Sequence, residues 1–140
     1  MDTQSRDRAS RLRQEVVQLQ AEVNRRLEAI LRTRAILRGS LYQWKRRCGA
    51  QKCRCQKGEL HSNWVFSYRK DGKLRKVAIP SEELSRYEAA VGSYRAFRAE
   101  RVGVVKAQAR VNRLLRDLET EMRIEAPRSK ERQKRQEELP

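Results

Sequence analysis

Apolar residues recur every seven positions near the start of the chain. Ala9, Val16, Val23, Ile30 and Leu37 form one line, and Leu12 and Leu19 begin a second beside it. Two apolar positions in seven make the narrow seam of a coiled-coil helix. The second line continues as Arg26 and Thr33, so the seam weakens there, with Leu27 and Leu31 alongside. Neither Pro nor Gly occurs before Gly39, which is the natural stop. The pattern predicts a first helix of about 30 residues, which at 1.5 Å per residue is ~45 Å long.

A second helical pattern follows Pro80. Ser81 suits the N-cap, and Glu82 and Glu83 suit the positive end of a helix dipole. The stripe starts with Leu84, Tyr87, Val91 and Tyr94 and resumes as Val104, Val111, Leu115, Leu118 and Met122. Gly92 and Gly103 weaken its middle by about 1 kcal/mol each relative to Ala. The helix is expected to end near Ile124, before Pro127. The tail "PRSKERQKRQEELP" has no apolar period and reads as disordered. Two narrow stripes joined through a middle segment predict an antiparallel coiled-coil hairpin, with pairing across a dimer as the alternative. A lone pair of helices buries little surface, so self-association is expected, as a homodimer or a four-helix arrangement.

Between the helices the period changes from seven to two. In "WVFSYRKDGKLRKVAI" Trp64, Phe66 and Tyr68 alternate, Asp71-Gly72 is a preferred type I′ turn, and Leu74 to Ile79 returns. That turn puts Tyr68 opposite Arg75, Phe66 opposite Val77, and Trp64 opposite Ile79, all on one face. The other face carries Val65, Ser67, Arg69, Leu74, Lys76 and Ala78. A sheet needs about three strands to stand alone, so "LYQWKRR" is expected as a third strand with Tyr42 and Trp44 on its apolar side. The predicted fold class is mainly α with a small β module. Its parts are a first helix (1–39), a basic Cys/His module (40–79), a second long helix (80–125) and a tail (126–140).

Charge sharpens this division. The chain of 140 residues has a net charge of +16 and a pI near 10.7. Residues 40–79 hold eleven Lys and Arg against two acids, a net of +9, whereas residues 80–125 net only +1. Such a surplus favours a polyanion, chiefly nucleic acid, with an anionic membrane surface as the other candidate. The residues expected to meet phosphate are Lys45, Arg46, Arg47, Lys52, Arg54, Arg69, Lys70, Lys73 and Lys76. The bland alternative is a solvated face that keeps the protein soluble. The interleaved aromatics Tyr42, Trp44, Trp64, Phe66 and Tyr68 could stack on bases, although most belong in the core of a half-buried hairpin. No run of 18 apolar residues exists, so no membrane span is expected, and the first residues lack the apolar stretch of a signal peptide.

All three cysteines and the single histidine fall in "CGAQKCRCQKGELH", residues 48–61. An odd cysteine count without a secretion signal fits a reducing, cytoplasmic setting and argues against disulfides. Cys48, Cys53, Cys55 and His61 supply the four donors of a structural zinc site. A small module with little core would gain folding energy from it. Cys-x-Cys is a poorer knuckle than Cys-x-x-Cys, and the segment needs a tight turn, which Gly49 and Gly58 allow. Spare reduced thiols are the alternative, and a catalytic thiol finds no second histidine or oriented acid. Acids lie scattered among arginines along the helices, with no general acid/base pair and no glycine-rich phosphate loop. No enzyme activity is therefore expected.

The segment "RGSLYQWKRRCGAQKCRCQKGELH", the aromatic strand, the "GK…VAIP" strand and a helix with "Y…YRAFR" resemble a family of small prokaryotic proteins catalogued as a domain of unknown function. The resemblance spans about residues 36–118. Family members often carry "HGPY" where this chain has His61-Ser62-Asn63-Trp64, and association with mobile genetic elements is what the resemblance implies. Three strands followed by a helix are also similar to the DNA-binding domains of phage-type integrases, an analogy of fold alone. The expected function is non-enzymatic nucleic-acid binding by the module, with double-stranded DNA preferred and a mobile-element protein as a further partner. The rivals are a coiled-coil interaction protein whose charge is incidental and an accessory subunit of a nuclease or recombinase complex.

Overall fold

A computed structural model describes residues 2–126. The elements are helix α1 (Thr3–Arg32), strands β1 (Ser40–Arg46), β2 (His61–Lys70) and β3 (Lys73–Ile79), and helix α2 (Leu84–Met122). A short 3-10 helix, Arg54–Lys57, lies between β1 and β2. The expected disordered tail falls, from residue 127 on, outside the described residues.

Helix α1 starts and stops earlier than its apolar spacing predicts. Asp2 caps it, accepting the Ser5 amide N–H at 2.7 Å, so the first turn forms ahead of Ala9. At the other end the Thr33 amide closes onto the Ile30 carbonyl at 3.1 Å, and residues 33–38 are not helical. Leu37, predicted as the last seam residue, instead gives its backbone N–H to the Ala90 carbonyl at 3.0 Å and packs against the sheet's core. Gly39 is thus not a helix stop. A Cβ at residue 39 would lie 2.4 Å from Cζ of Phe66 and 2.5 Å from the Ser67 carbonyl oxygen, so the residue permits a close approach to β2.

The three strands form one antiparallel sheet in the order β1-β2-β3. The hairpin has the predicted register, with Trp64 opposite Ile79, Phe66 opposite Val77 and Tyr68 opposite Arg75. Asp71 and Gly72 have φ of 53° and 74°, as a type I′ turn requires. The third strand is also present, but its faces are exchanged relative to expectation. Leu41 pairs with Phe66 and Trp44 with Asn63. Leu41 therefore shares the core face, while Tyr42, Trp44 and Arg46 lie on the opposite face with Val65, Arg69 and Lys76. On the core side Phe66, Ile79 and Val91 are buried, flanked by Leu37, Leu41, Trp64, Tyr68 and Tyr87. Phe66 stacks on Tyr68 at 5.5 Å and meets Tyr87 edge-on at 5.8 Å.

Helix α2 begins at Leu84, not at Ser81. The Glu83 amide bonds to the Pro80 carbonyl and the Leu84 amide to the Ser81 carbonyl, forming a turn. Glu83 then accepts from Tyr87, the first bond of α-helical spacing, so Ser81 is not the N-cap. The helix ends at Met122, two residues short of the expected Ile124.

The chain divides into two compact units. Among the described residues, one holds residues 2–23 and 106–126. Among its described residues, Ala9, Leu19 and Val23 of α1 and Ala107, Val111 and Leu114 of α2 are buried. Leu114 takes the inward position that the stripe assigned to Leu115, which is exposed. Alternating steps of three and four from Val104 reach 107, 111, 114 and 118. Ser5 and Arg8 both bond to Glu121, at 2.9 and 3.0 Å, and Glu15 pairs with Arg110, so these contacts run antiparallel.

The second unit, Asn24–Val105, holds the sheet and the adjoining helical segments. Here Arg26, the residue that weakens the seam, pairs with Glu100 at 3.2 Å. Gly103 makes room for it, because a Cβ there would meet the guanidinium at 2.4–2.8 Å. Among the described residues, no helix is long and apolar enough to cross a membrane.

Candidate metal centre and basic surface

The connection from β1 to β2 folds Cys48, Cys53, Cys55 and His61 onto one point. Their donor atoms all lie within 4.8 Å of one another. Cys53 Sγ is 3.0 Å from His61 Nε2, and Cys48 Sγ is 3.4 Å from Cys55 Sγ. Two sulfurs held 2.3 Å from one tetrahedral ion stand about 3.8 Å apart, so this spacing suits a bound metal. The 3-10 helix solves the Cys-x-Cys problem. Cys53 precedes its first residue in extended geometry and Cys55 lies within its turn, so the two thiols need not follow strand spacing. Gly58, at φ 110°, caps the turn and gives its amide to the Cys55 carbonyl. The register that pairs Arg46 with His61 brings the two ends of the connection together.

The surroundings support thiolate ligands. The Cys48 amide points at Cys55 Sγ across 3.3 Å, and the Gln56 side-chain amide donates to the Cys48 carbonyl at 3.2 Å. Such bonds fix ligand orientation around a metal. A backbone hydrogen bond at Ala50, followed by bonds from Cys55 and Cys53, holds the Cys48 thiol below its ordinary pKa. Burial pushes the Cys55 thiol up, in keeping with its 0% exposure. A cation beside the cluster would reverse that rise, since a coordinating thiol is deprotonated. A cavity of about 340 Å³ opens beside the cluster, lined by Arg46, Cys48, His61, Ser62 and Asn63.

The nine residues expected to meet phosphate are all exposed. Arg46, Arg69 and Lys76 share the open face of the sheet, while Lys45 belongs to the core face. Lys70 and Lys73 flank the turn, and Arg47, Lys52 and Arg54 lie in the connection that carries the Cys/His cluster. Among the described residues, no Lys or Arg between positions 40 and 79 forms an ion pair.

Trp64, Phe66 and Tyr68 belong to the core, as alternation suggests. Trp44 does not. It is 44% exposed, with the Arg46 guanidinium 5.2 Å and the Lys76 ammonium 5.8 Å from its ring centre. Nothing in the sequence marks this exception. Only the register across the β1–β2 connection reveals it.

The family model for a domain of unknown function (DUF6788) matches residues 10–89, and the chain belongs to this family. The match takes in most of α1, the whole sheet and all four Cys/His donors, and it starts and ends earlier than the resemblance at residues 36–118. No curated protein and no solved structure matches the chain.

Proposed function

We propose that this member of the domain-of-unknown-function family is a nucleic-acid-binding protein without enzymatic activity, built around a basic module that a structural zinc ion holds in shape. The observation that carries the reading is the unpaired charge of the module. Its eleven Lys and Arg face two acids within 40 residues. Cations left exposed and without acidic partners are available to a polyanion. Three thiolates and an imidazole favour zinc over calcium or magnesium, which take oxygen ligands. A complete protein ligand set leaves no open position for substrate, which fits a structural role. The helices supply a coiled-coil hairpin. The antiparallel order of Glu15–Arg110 in one unit and of Arg26–Glu100 and Leu37–Ala90 in the other favours that arrangement over parallel pairing.

Fluorescence anisotropy on a labelled DNA duplex across a salt series tests the binding. With five or six of the nine candidate cations engaged, log affinity falls by roughly 5 per decade of salt. Changing Arg69 and Lys76 to Ala weakens binding to all sequences alike and flattens the slope by about 2. Removing residues 126–140, which net only +2, changes much less. Loss of binding on truncation alone moves the site to the tail. No binding of any nucleic acid at low salt sinks the reading and leaves a protein-interaction role ahead. A pull-down with cellular nucleic acid intact identifies the protein partner that a mobile-element role requires.

A further inference from the structure

The open face of the sheet is built differently from the rest of the basic surface. Most cations elsewhere in the module stand on turns and connections, with Lys45 and Arg75 on the core face of the sheet. On the open face a flat aromatic ring lies among the cations. Trp44 is 44% exposed, whereas Trp64, Phe66 and Tyr68 pack in the core and Tyr42 on the same face is half-buried. The strand partner of Trp44 is Asn63, a half-buried amide that also lines the cavity beside the metal ligands. Arg46 and Lys76, both exposed, reach its ring from the same strand and from β3.

An exposed tryptophan leaves apolar surface in water, which burial against a partner would relieve. Cation–π contact with two solvated side chains offsets that only in part. A nucleobase offers the ring a larger and better-matched surface. Both cationic side chains are long and unpaired, so they can leave the ring for phosphates on either side of a stacked base. In duplex DNA every base face is already covered by its neighbours. A stacking ring therefore selects strands whose bases are free, while cations alone do not discriminate.

Resting on the nucleic-acid reading above, we propose that the open sheet face binds single-stranded nucleic acid, with one base stacked on Trp44, flanking phosphates on Arg46 and Lys76, and the Asn63 amide placed for a base edge. The cavity beside Asn63 gives the adjoining nucleotide room. Duplex is then the weaker ligand, held by phosphate contacts alone, and the preference for double-stranded DNA expected from the sequence is reversed.

The test uses the full chain with zinc bound and three labelled probes of about 12 units: single-stranded DNA, the same sequence in RNA, and the DNA duplex. At equal salt the single strands bind more tightly than the duplex. Trp44→Leu lowers single-strand affinity by about 5- to 150-fold, the range for losing one base stack. Its duplex affinity and salt slope stay near wild type, and Trp44→Phe recovers most of the loss. Emission supplies a second readout that does not depend on how Trp44→Leu folds. Single strand quenches wild-type tryptophan fluorescence, and the quenching disappears in Trp44→Phe, which retains Trp64 alone. Tighter binding of duplex, equal single-strand affinity in Trp44→Leu, or quenching that survives in Trp44→Phe overturns the proposal while nucleic-acid binding itself stands. If wild type binds none of the three probes, the parent reading fails and this one with it.

Discussion

The helices and the module solve opposite electrostatic problems. Along α1 and α2, acids and bases are interleaved, and several meet across the helices. Arg8 reaches Glu121, Glu15 reaches Arg110 and Arg26 reaches Glu100. In the module, eleven cations share the surface with two acids, and among the described residues none is paired. Total charge therefore misleads as a guide to binding. Several helical cations are paired with acids within the protein, and among the described residues those of the module are not. The sources of order differ as well. Helical segments rely on a repeating apolar seam. The module has a few core aromatic residues and four Cys/His donors that converge from one connection.

The largest expected effect lies at the Cys/His cluster. Structural zinc sites bind with an apparent free energy on the order of 10–16 kcal/mol, which couples directly to folding. Native mass spectrometry is expected to find one metal per chain, and Cys53→Ser to reduce its affinity sharply. The amide signals of Trp64 and Phe66 then collapse, while the far-ultraviolet helical signal persists. A metal-free protein with an unchanged melting curve would show that the module stands without an ion.

The helical seam is the next target. Val23 has 0% exposure, so Val23→Asp buries an unpaired charge and costs roughly 3–5 kcal/mol. Leu31 is 82% exposed despite its place beside the seam, and Leu31→Asp should stay within about 0.5 kcal/mol. Thermal melts of both variants check the assignment of faces. Equal losses would mean that Leu31 is covered in solution, as self-association through α1 requires.

The smallest effect concerns Gly103. In the wild type, Gly103→Ala forces the Arg26 guanidinium aside, which opposes the helix propensity gained. In an Arg26→Ala background that obstacle is gone, and the same change stabilises by about 1 kcal/mol. A double-mutant cycle measures the difference. Additive effects would show that the niche for Arg26 carries no energy.

What the sequence disclosed depended on how local each cause was. Asp71-Gly72 and the flanking alternation define the β2–β3 hairpin residue by residue, and the observed register agrees. The four metal donors were legible because they cluster within residues 48–61. Their convergence was not, because it depends on a 3-10 turn at Arg54 that no strand or helix period announces. The ends of α1 depended on a cap at Asp2 and on a distant carbonyl at Ala90. Leu115 was favoured over Leu114 because a plain seven-residue count from Val104 and Val111 leaves the intermediate position open. The facing of Trp44 was hidden for a similar reason. Two aromatic residues at alternate positions look like core, and only pairing with β2 shows that Leu41 has taken that place.

The two connections within the sheet are very unequal. β2 and β3 are joined by residues 71–72, whereas β1 and β2 are separated by residues 47–60. A two-residue turn closes quickly and at little entropic cost, and the longer connection closes slowly. The hairpin is thus expected to form first, with β1 docking afterwards as the four Cys/His side chains gather. A chain starved of metal would pause with one side of β2 bare. That strand has ten residues, with Val65 and Phe66 at its centre. An uncapped edge of this kind invites strands from other molecules. If the cluster takes the proposed ion, metal supply during synthesis would then bear on aggregation as well as on the finished fold.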